Sequence, residues 1–196
     1  MASPSKIGYL RVVLTNHRFA RRSQNRAFSL VELMVVVAIG AILGLVGVVL
    51  FRRHLAASRG TEAYSVIQAL RASEESYLAE NHVYLDVSTG AAWYPNRTPN
   101  TNRAAWSASD HVDFARWKQL APVVNRSVMF GYLVNAGSPG TVMPVLQIAN
   151  SPDLSQPQPL DWYLIQAKGD TNGDGVPALY AATSITGETY VQNEGD

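Results

Sequence analysis

Residues 28–51 read FSLVELMVVVAIGAILGLVGVVLF, 24 consecutive positions in which Glu32 is the single charge. As a helix rising about 1.5 Å per residue, the run is roughly 36 Å long, enough to cross a hydrocarbon core of roughly 30 Å. A secretory signal peptide would stop after about 7 to 15 apolar residues at a small-residue cleavage site, whereas this run continues into further helix. Lys6, Arg11, Arg18, Arg21, Arg22 and Arg26 crowd its N-terminal side with no acidic residue among them, and only Arg52, Arg53 and Arg59 lie close on the other. That asymmetry keeps the N-terminus in the cytoplasm and exports the chain on the C-terminal side of the run. A carboxylate such as Glu32 in an apolar helix costs roughly 2.5 to 3.5 kcal/mol on insertion scales, so its default reading is functional and it requires a partner. Gly40 and Gly44 have the small-xxx-small spacing that permits close helix contact, and Gly47 lies one turn further on. Each glycine weakens the helix by roughly 1 kcal/mol relative to alanine.

The stretch RAFSLVELMVVVAIGAIL, residues 26–43, resembles the signature of the type IV pilin and pseudopilin family. There a basic leader ends in a small residue and is followed by Phe, a hydroxyl residue, Leu, an aliphatic residue and Glu. Those positions are Ala27, Phe28, Ser29, Leu30, Val31 and Glu32. The resemblance implies cleavage between Ala27 and Phe28 by a prepilin peptidase, which also methylates the new Phe28 amine, and pairing of Glu32 with the Phe28 amine of a neighbouring subunit. It assigns Gly40 and Gly44 to the packed filament core. Ala27 stands where Gly is usual, the leader is longer than in many pilins, and the helix lacks the proline that often kinks it.

Beyond Arg53 the helical pattern turns amphipathic. Ala63, Val66, Ile67, Leu70, Tyr77 and Leu78 recur at helical spacing, with Arg59, Glu62, Arg71 and Glu75 interspersed, until Asn81. Residues 86–126, with NRTPNTNR at their centre, read as a long exposed loop. A short helix through Phe114, Trp117 and Leu120, capped by Ser109 or Asp110, interrupts it, and Trp93, Tyr94 and Trp106 pack on their own head or on other subunits. Runs 127–134, 142–148, 161–167, 177–184 and 189–192 are rich in β-formers and separated by turn residues, which predicts an antiparallel sheet. The expected fold is α+β, the pilin ladle, in three parts. A leader of residues 1–27 precedes a transmembrane and filament-core helix of residues 28–53. The third part is a head of residues 54–196, with its sheet at 127–193.

Between two of those strands GDTNGDGVP places Asp170, Asn172 and Asp174 at alternate positions before Gly175. Alternating oxygen donors followed by glycine resemble the first half of an EF-hand calcium loop. The acid required at the twelfth position falls on Ala181, so the Val176 carbonyl, water or a distant carboxylate must complete the set. The resemblance is closer to the late calcium loops of some major pseudopilins. Asn-Gly and Asp-Gly are also hairpin dipeptides, so a plain tight turn is the competing reading.

The formal charge of +1 conceals an asymmetry. Six of the 16 basic residues lie in the leader, leaving 10 against 15 acidic, which argues against a general nucleic-acid binder. The chain has no cysteine, and His17, His54, His82 and His111 stand without metal-ligand spacing, as surface or capping histidines. No catalytic motif is present, and the expected activity is assembly. Expected partners are other pilin subunits, the prepilin peptidase, an inner-membrane assembly platform and the membrane itself. The protein is expected in the inner membrane first, then in a surface pilus or periplasmic pseudopilus. Pilus subunits for adhesion and motility, minor pilins and type II secretion pseudopilins all fit. The rival from another class is a singly anchored periplasmic protein with a calcium-binding head.

Overall fold

The structure, a computed structural model, describes residues 29–146, 148–149 and 151–194. They fall into two compact units, divided between Leu43 and Gly44. A 52-residue helix, α1 (Leu30–Asn81), contributes to both. It starts on Ser29, whose Oγ accepts the Glu32 N–H at 3.2 Å, the bond expected of a serine N-cap. It stops where His82 turns left-handed, with φ 62°, and donates its N–H to the Leu78 carbonyl at 2.8 Å.

In the second unit, Ala63, Val66, Ile67 and Leu70 form the fully buried stripe of α1 that helical spacing predicts. Burying each of the three larger side chains contributes about 1.5 to 3 kcal/mol, and truncating Leu70 to alanine costs about 2 to 5 kcal/mol. The stripe meets an antiparallel sheet of order β1 (Gly131–Gly137), β2 (Trp162–Gly169), β3 (Ala178–Thr183) and β4 (Thr189–Gln192). Because strand side chains alternate, Tyr132, Val134, Tyr163, Ile165, Ala167, Ala178, Tyr180 and Ala182 all face α1.

The opposite face carries Trp162, Leu164 and Ala181, and it is not left to solvent. The β1–β2 connection folds over it, burying Met143, Leu146 and Ile148 there, with Trp162 Nε1 donating to Thr141 Oγ1 at 3.0 Å. Among the described residues the expected strand at 142–148 is therefore a cover: one bridge joins Val142 to Pro157 there, and Pro144 interrupts the run without an N–H to offer a ladder. The first strand also starts later than expected, at Gly131.

Residues 86–126 are less exposed than their composition implies. They cover the free edge of β1: Val87 and Ser88 donate to the Val134 carbonyl, and Tyr94 pairs with Tyr132. Tyr94 is buried, stacks on Trp117 at 4.7 Å, meets Trp106 edge-on at 5.2 Å and donates its hydroxyl to the Trp106 carbonyl. The short helix is α2 (Phe114–Leu120), with Asp113 rather than Ser109 or Asp110 at its N-cap. Asp113 Oδ1 instead takes the Thr89 hydroxyl at 3.0 Å. His111 is not a surface histidine. It is buried, with Nδ1 accepting the Asp113 N–H at 3.1 Å and Nε2 3.1 Å from the Trp93 carbonyl, which places its proton on Nε2.

Candidate assembly and cation sites

The candidate assembly segment is the first half of α1. Leu30–Phe51 is a 22-residue helix long and apolar enough to cross a membrane, with none of its surface buried. Its leucine, isoleucine and valine side chains are more than half exposed throughout, from Leu30 at 75% to Val35 at 51%. Glu32 lies in the first turn, where a carboxylate is favoured by the positive end of the helix dipole. Ser29 and Glu32 thus stand in the S-x-x-E arrangement of a capping box, of which the serine half is formed. That signal is legible in the sequence, and it gives the hydroxyl residue of the motif a physical task. A Cβ added to Gly40, Gly44 or Gly47 would meet nothing within 4 Å. Ala27 and Phe28, the expected cleavage and methylation positions, lie outside the described residues.

The second candidate is the β2–β3 turn. Asp170 Oδ1 accepts the Gly173 N–H at 2.7 Å, and its Oδ2 accepts that of Gly175 at 3.0 Å. Asn172 Oδ1 takes the Asp174 N–H at 2.9 Å, Asp174 Oδ1 takes the Val176 N–H at 2.8 Å, and Asn172 Nδ2 donates to Asp174 Oδ2 at 3.0 Å. Gly173 and Gly175 are left-handed at φ 81° and 86°, and Arg59 Nη1 donates to the Thr171 carbonyl, tying the turn to α1. A carboxylate oxygen that accepts one N–H keeps a second lone pair for a cation. Asp170, Asn172 and Asp174 thus bring side-chain oxygens, the donor type of which Ca²⁺ takes six to eight, into one turn. Among the described residues no group of three or more His, Cys, Asp or Glu side chains gathers for a metal.

Two acidic side chains in the second half of α1 take parts that periodicity did not single out. Glu62 is buried: Oε1 accepts the Met129 N–H at 2.6 Å and Oε2 meets Arg103 Nη1 at 2.8 Å, clamping the helix to the 86–126 segment and to the approach to β1. Glu74 is fully buried, with Oε2 accepting the Leu85 N–H at 3.0 Å and Oε1 without a partner. Burial first, then the neighbouring charges of Glu75 and Asp86, outweigh that hydrogen bond and push its pKa up to about 7.

Residues 22–48 match the prokaryotic N-terminal methylation motif. The chain is also 35% identical over 74 residues to the type IV major pilin protein PilA of Myxococcus xanthus (strain DK1622), across 38% of this chain and 34% of that one. These matches support the type IV pilin family. The chain spans about a third of the length of that pilin. No solved structure matches. An α+β pilin fold agrees with the apolar N-terminal helix, the second helix and the four-stranded antiparallel sheet.

Proposed function

We propose that this chain is a structural subunit, a major or minor pilin, of a type IV pilus-like filament serving adhesion or motility. The observation that carries the reading is an uncovered apolar helix of 22 residues, bearing one carboxylate in its first turn and coinciding with the methylation motif. The precursor spans the inner membrane once with its N-terminus in the cytoplasm. A prepilin peptidase cuts between Ala27 and Phe28 and methylates Phe28, and the assembly platform then extracts the helix from lipid into a bundle of other helices. Glu32 pairs there with the Phe28 amine of a neighbour, which removes the cost of a lone carboxylate in apolar surroundings and sets axial register. Gly40 and Gly44 admit close helix contact. The protein acts by assembly rather than by chemistry.

A second reading, a type II secretion pseudopilin, draws on the 170–176 turn. In it Asp170, Asn172, Asp174 and the Val176 carbonyl hold a Ca²⁺ ion, which supplies rigidity to the β2–β3 connection in a chain without disulfides. Mass spectrometry of the mature N-terminus decides between the two. Methylated Phe28 in sheared surface filaments is expected for the pilus subunit. The same peptide confined to the membrane fraction points to the pseudopilin. An uncut N-terminus defeats both and leaves a singly anchored protein. Glu32→Ala is expected to abolish incorporation into filaments while leaving the precursor in the membrane.

A further inference from the structure

Arg71 and Glu74 are three residues apart on α1, a spacing at which side chains on a helix are neighbours. Among the described residues ion pairs join Arg97 to Asp110 and Arg103 to Glu62, but not these two. Each is bonded to backbone instead. Arg71 Nη1 donates to the Gly187 carbonyl at 2.8 Å and Nη2 to the Glu188 carbonyl at 2.6 Å, both in the turn between β3 and β4. Glu74 Oε2 accepts the Leu85 N–H at 3.0 Å. Each side chain also holds one buried polar atom without a partner, Nε of Arg71 and Oε1 of Glu74. A donor and an acceptor left unused on neighbouring side chains of opposite type are the two halves of a bond that has not formed.

Facing Glu74 are Glu75 on α1, Tyr84 and Asp86 on the chain beyond α1, and Tyr163 on β2, none of which can neutralise a carboxylate. Arg116 of α2 donates to the Asp86 carbonyl at 2.7 Å, and Asn135 of β1 donates to Asp86 Oδ1 at 3.3 Å. Glu75 is exposed and accepts the Tyr84 hydroxyl at 3.2 Å, so water can stabilise its charge. Glu74 is fully buried and has no such access. Uncharged, it needs no cation, and Arg71 can hold the turn. Ionised, it is a buried charge among acids, which is costly unless a cation pairs with it. Burial and these neighbours raise its pKa to about 7, so both forms occur near neutral pH. Arg71 is the neighbouring cation on its own helix, and a guanidinium binds a carboxylate more strongly than a neutral carbonyl. Nε and Oε1 lie outside hydrogen-bond reach of each other, so pairing requires a shift. Because the guanidinium is rigid and planar, moving it toward Glu74 carries both Nη atoms away from the turn.

We propose that Arg71 is a two-position switch: it holds the β3–β4 turn while Glu74 is protonated and swings to the Glu74 carboxylate once that group ionises, releasing the Gly187 and Glu188 carbonyls. The turn is suited to such a release. Gly187 and Glu188 are exposed, so water replaces the guanidinium on their carbonyls. Gly187 is already left-handed at φ 69°, a conformation that glycine leaves or enters without steric cost. The base of the turn keeps its own bond, from the Thr186 N–H to Thr183 Oγ1 at 3.2 Å, which confines the change to the tip. A single buried proton thereby sets the shape of one surface turn of the head, held in acid and released in base. The switch is independent of the filament reading and stands without it.

Carbon-13 NMR of the full chain in detergent micelles, recorded from about pH 5 to about pH 9, tests this, because a carbonyl signal shifts when it loses a hydrogen bond. The Gly187 and Glu188 carbonyl signals are expected to move together, with the same midpoint as the Glu74 carboxyl, and to stay fixed in Glu74→Gln. Signals that stay fixed in the parent, or that move equally far in Glu74→Gln, overturn the proposal. Arg71→Gln supplies a second measurement that needs no change at Glu74. It is expected to raise the midpoint of the Glu74 carboxyl by about one pH unit, a tenfold change in acid constant, because the ionised form has lost its partner. An unchanged midpoint in that variant also overturns the switch.

Discussion

Replacing Glu74 with Gln is expected to make the head more stable above neutral pH and to flatten its response to pH. In the folded chain the Glu74 pKa rises from 4.5 to about 7. The carboxyl is fully buried and faces Glu75 and Asp86, with the phenols of Tyr84 and Tyr163 also near. An acid with a raised folded pKa holds its proton more tightly folded than unfolded. The folded state therefore binds more protons between pH 4.5 and 7, and stability falls as pH rises through that window. At about 1.36 kcal/mol per pKa unit the loss approaches ~3 kcal/mol once the group is ionised. For a chain of this size that is roughly 6 to 12 °C in unfolding temperature. Glutamine keeps an oxygen for the Leu85 N–H and removes the charge, but each buried amide proton that goes unpaired costs about 1 to 3 kcal/mol. The variant should thus match or fall slightly below the parent at about pH 5 and exceed it at about pH 8.5, so that the two curves cross. Thermal unfolding of the full chain in detergent, monitored by circular dichroism across that range, measures this. Parallel curves, or a parent that gains stability as pH rises while the variant does not, would refute the reasoning.

Glu62→Ala is expected to destabilise the head by about 2 kcal/mol, because it strands the buried Met129 N–H, while Arg103→Ala costs less because that guanidinium is half exposed. Hydrogen exchange at the Met129 amide should quicken in the first variant only. Ala121 ends α2 in the left-handed conformation at φ 48°, so Ala121→Gly should stabilise by about 1 kcal/mol; a drop in unfolding temperature would count against it. If the 170–176 turn holds calcium, an ion concentration of about 100 times its Kd should add about 2.7 kcal/mol of stability. Asp174→Asn, which keeps the acceptor for the Val176 N–H, should remove most of the gain. A calcium response that is equal in the two proteins would exclude Asp174 as a ligand.

The buried stripe of Ala63, Val66, Ile67 and Leu70 could be read directly, since helical spacing alone puts those side chains on one face. The fates of Glu62 and Glu74 could not. Whether a carboxylate on an amphipathic helix faces water or the interior depends on Met129, Arg103 and Leu85, which lie far along the chain or beyond the helix end. The same holds for the 86–126 segment, where composition implied exposure and the edge of β1 supplied partners that draw Tyr94, His111 and Trp117 inside. The apolar run at 142–148 looked like a strand because hydrophobicity and β-propensity report only that a segment wants burial. The outer face of β2 and β3 decided that it would be buried as a cover.

What the sequence determined by itself lies in the first 51 residues: the apolar span, its lone Glu32, the basic stretch before it and the glycine spacing. Affinity for lipid is close to a sum over neighbouring residues, and helical hydrogen bonds there are satisfied within the segment, so no distant partner is needed to interpret it. Tertiary structure decided which polar groups of the head are buried and what lies over each face of the sheet. Those outcomes depend on contacts between residues remote in sequence, whose energies no local pattern contains.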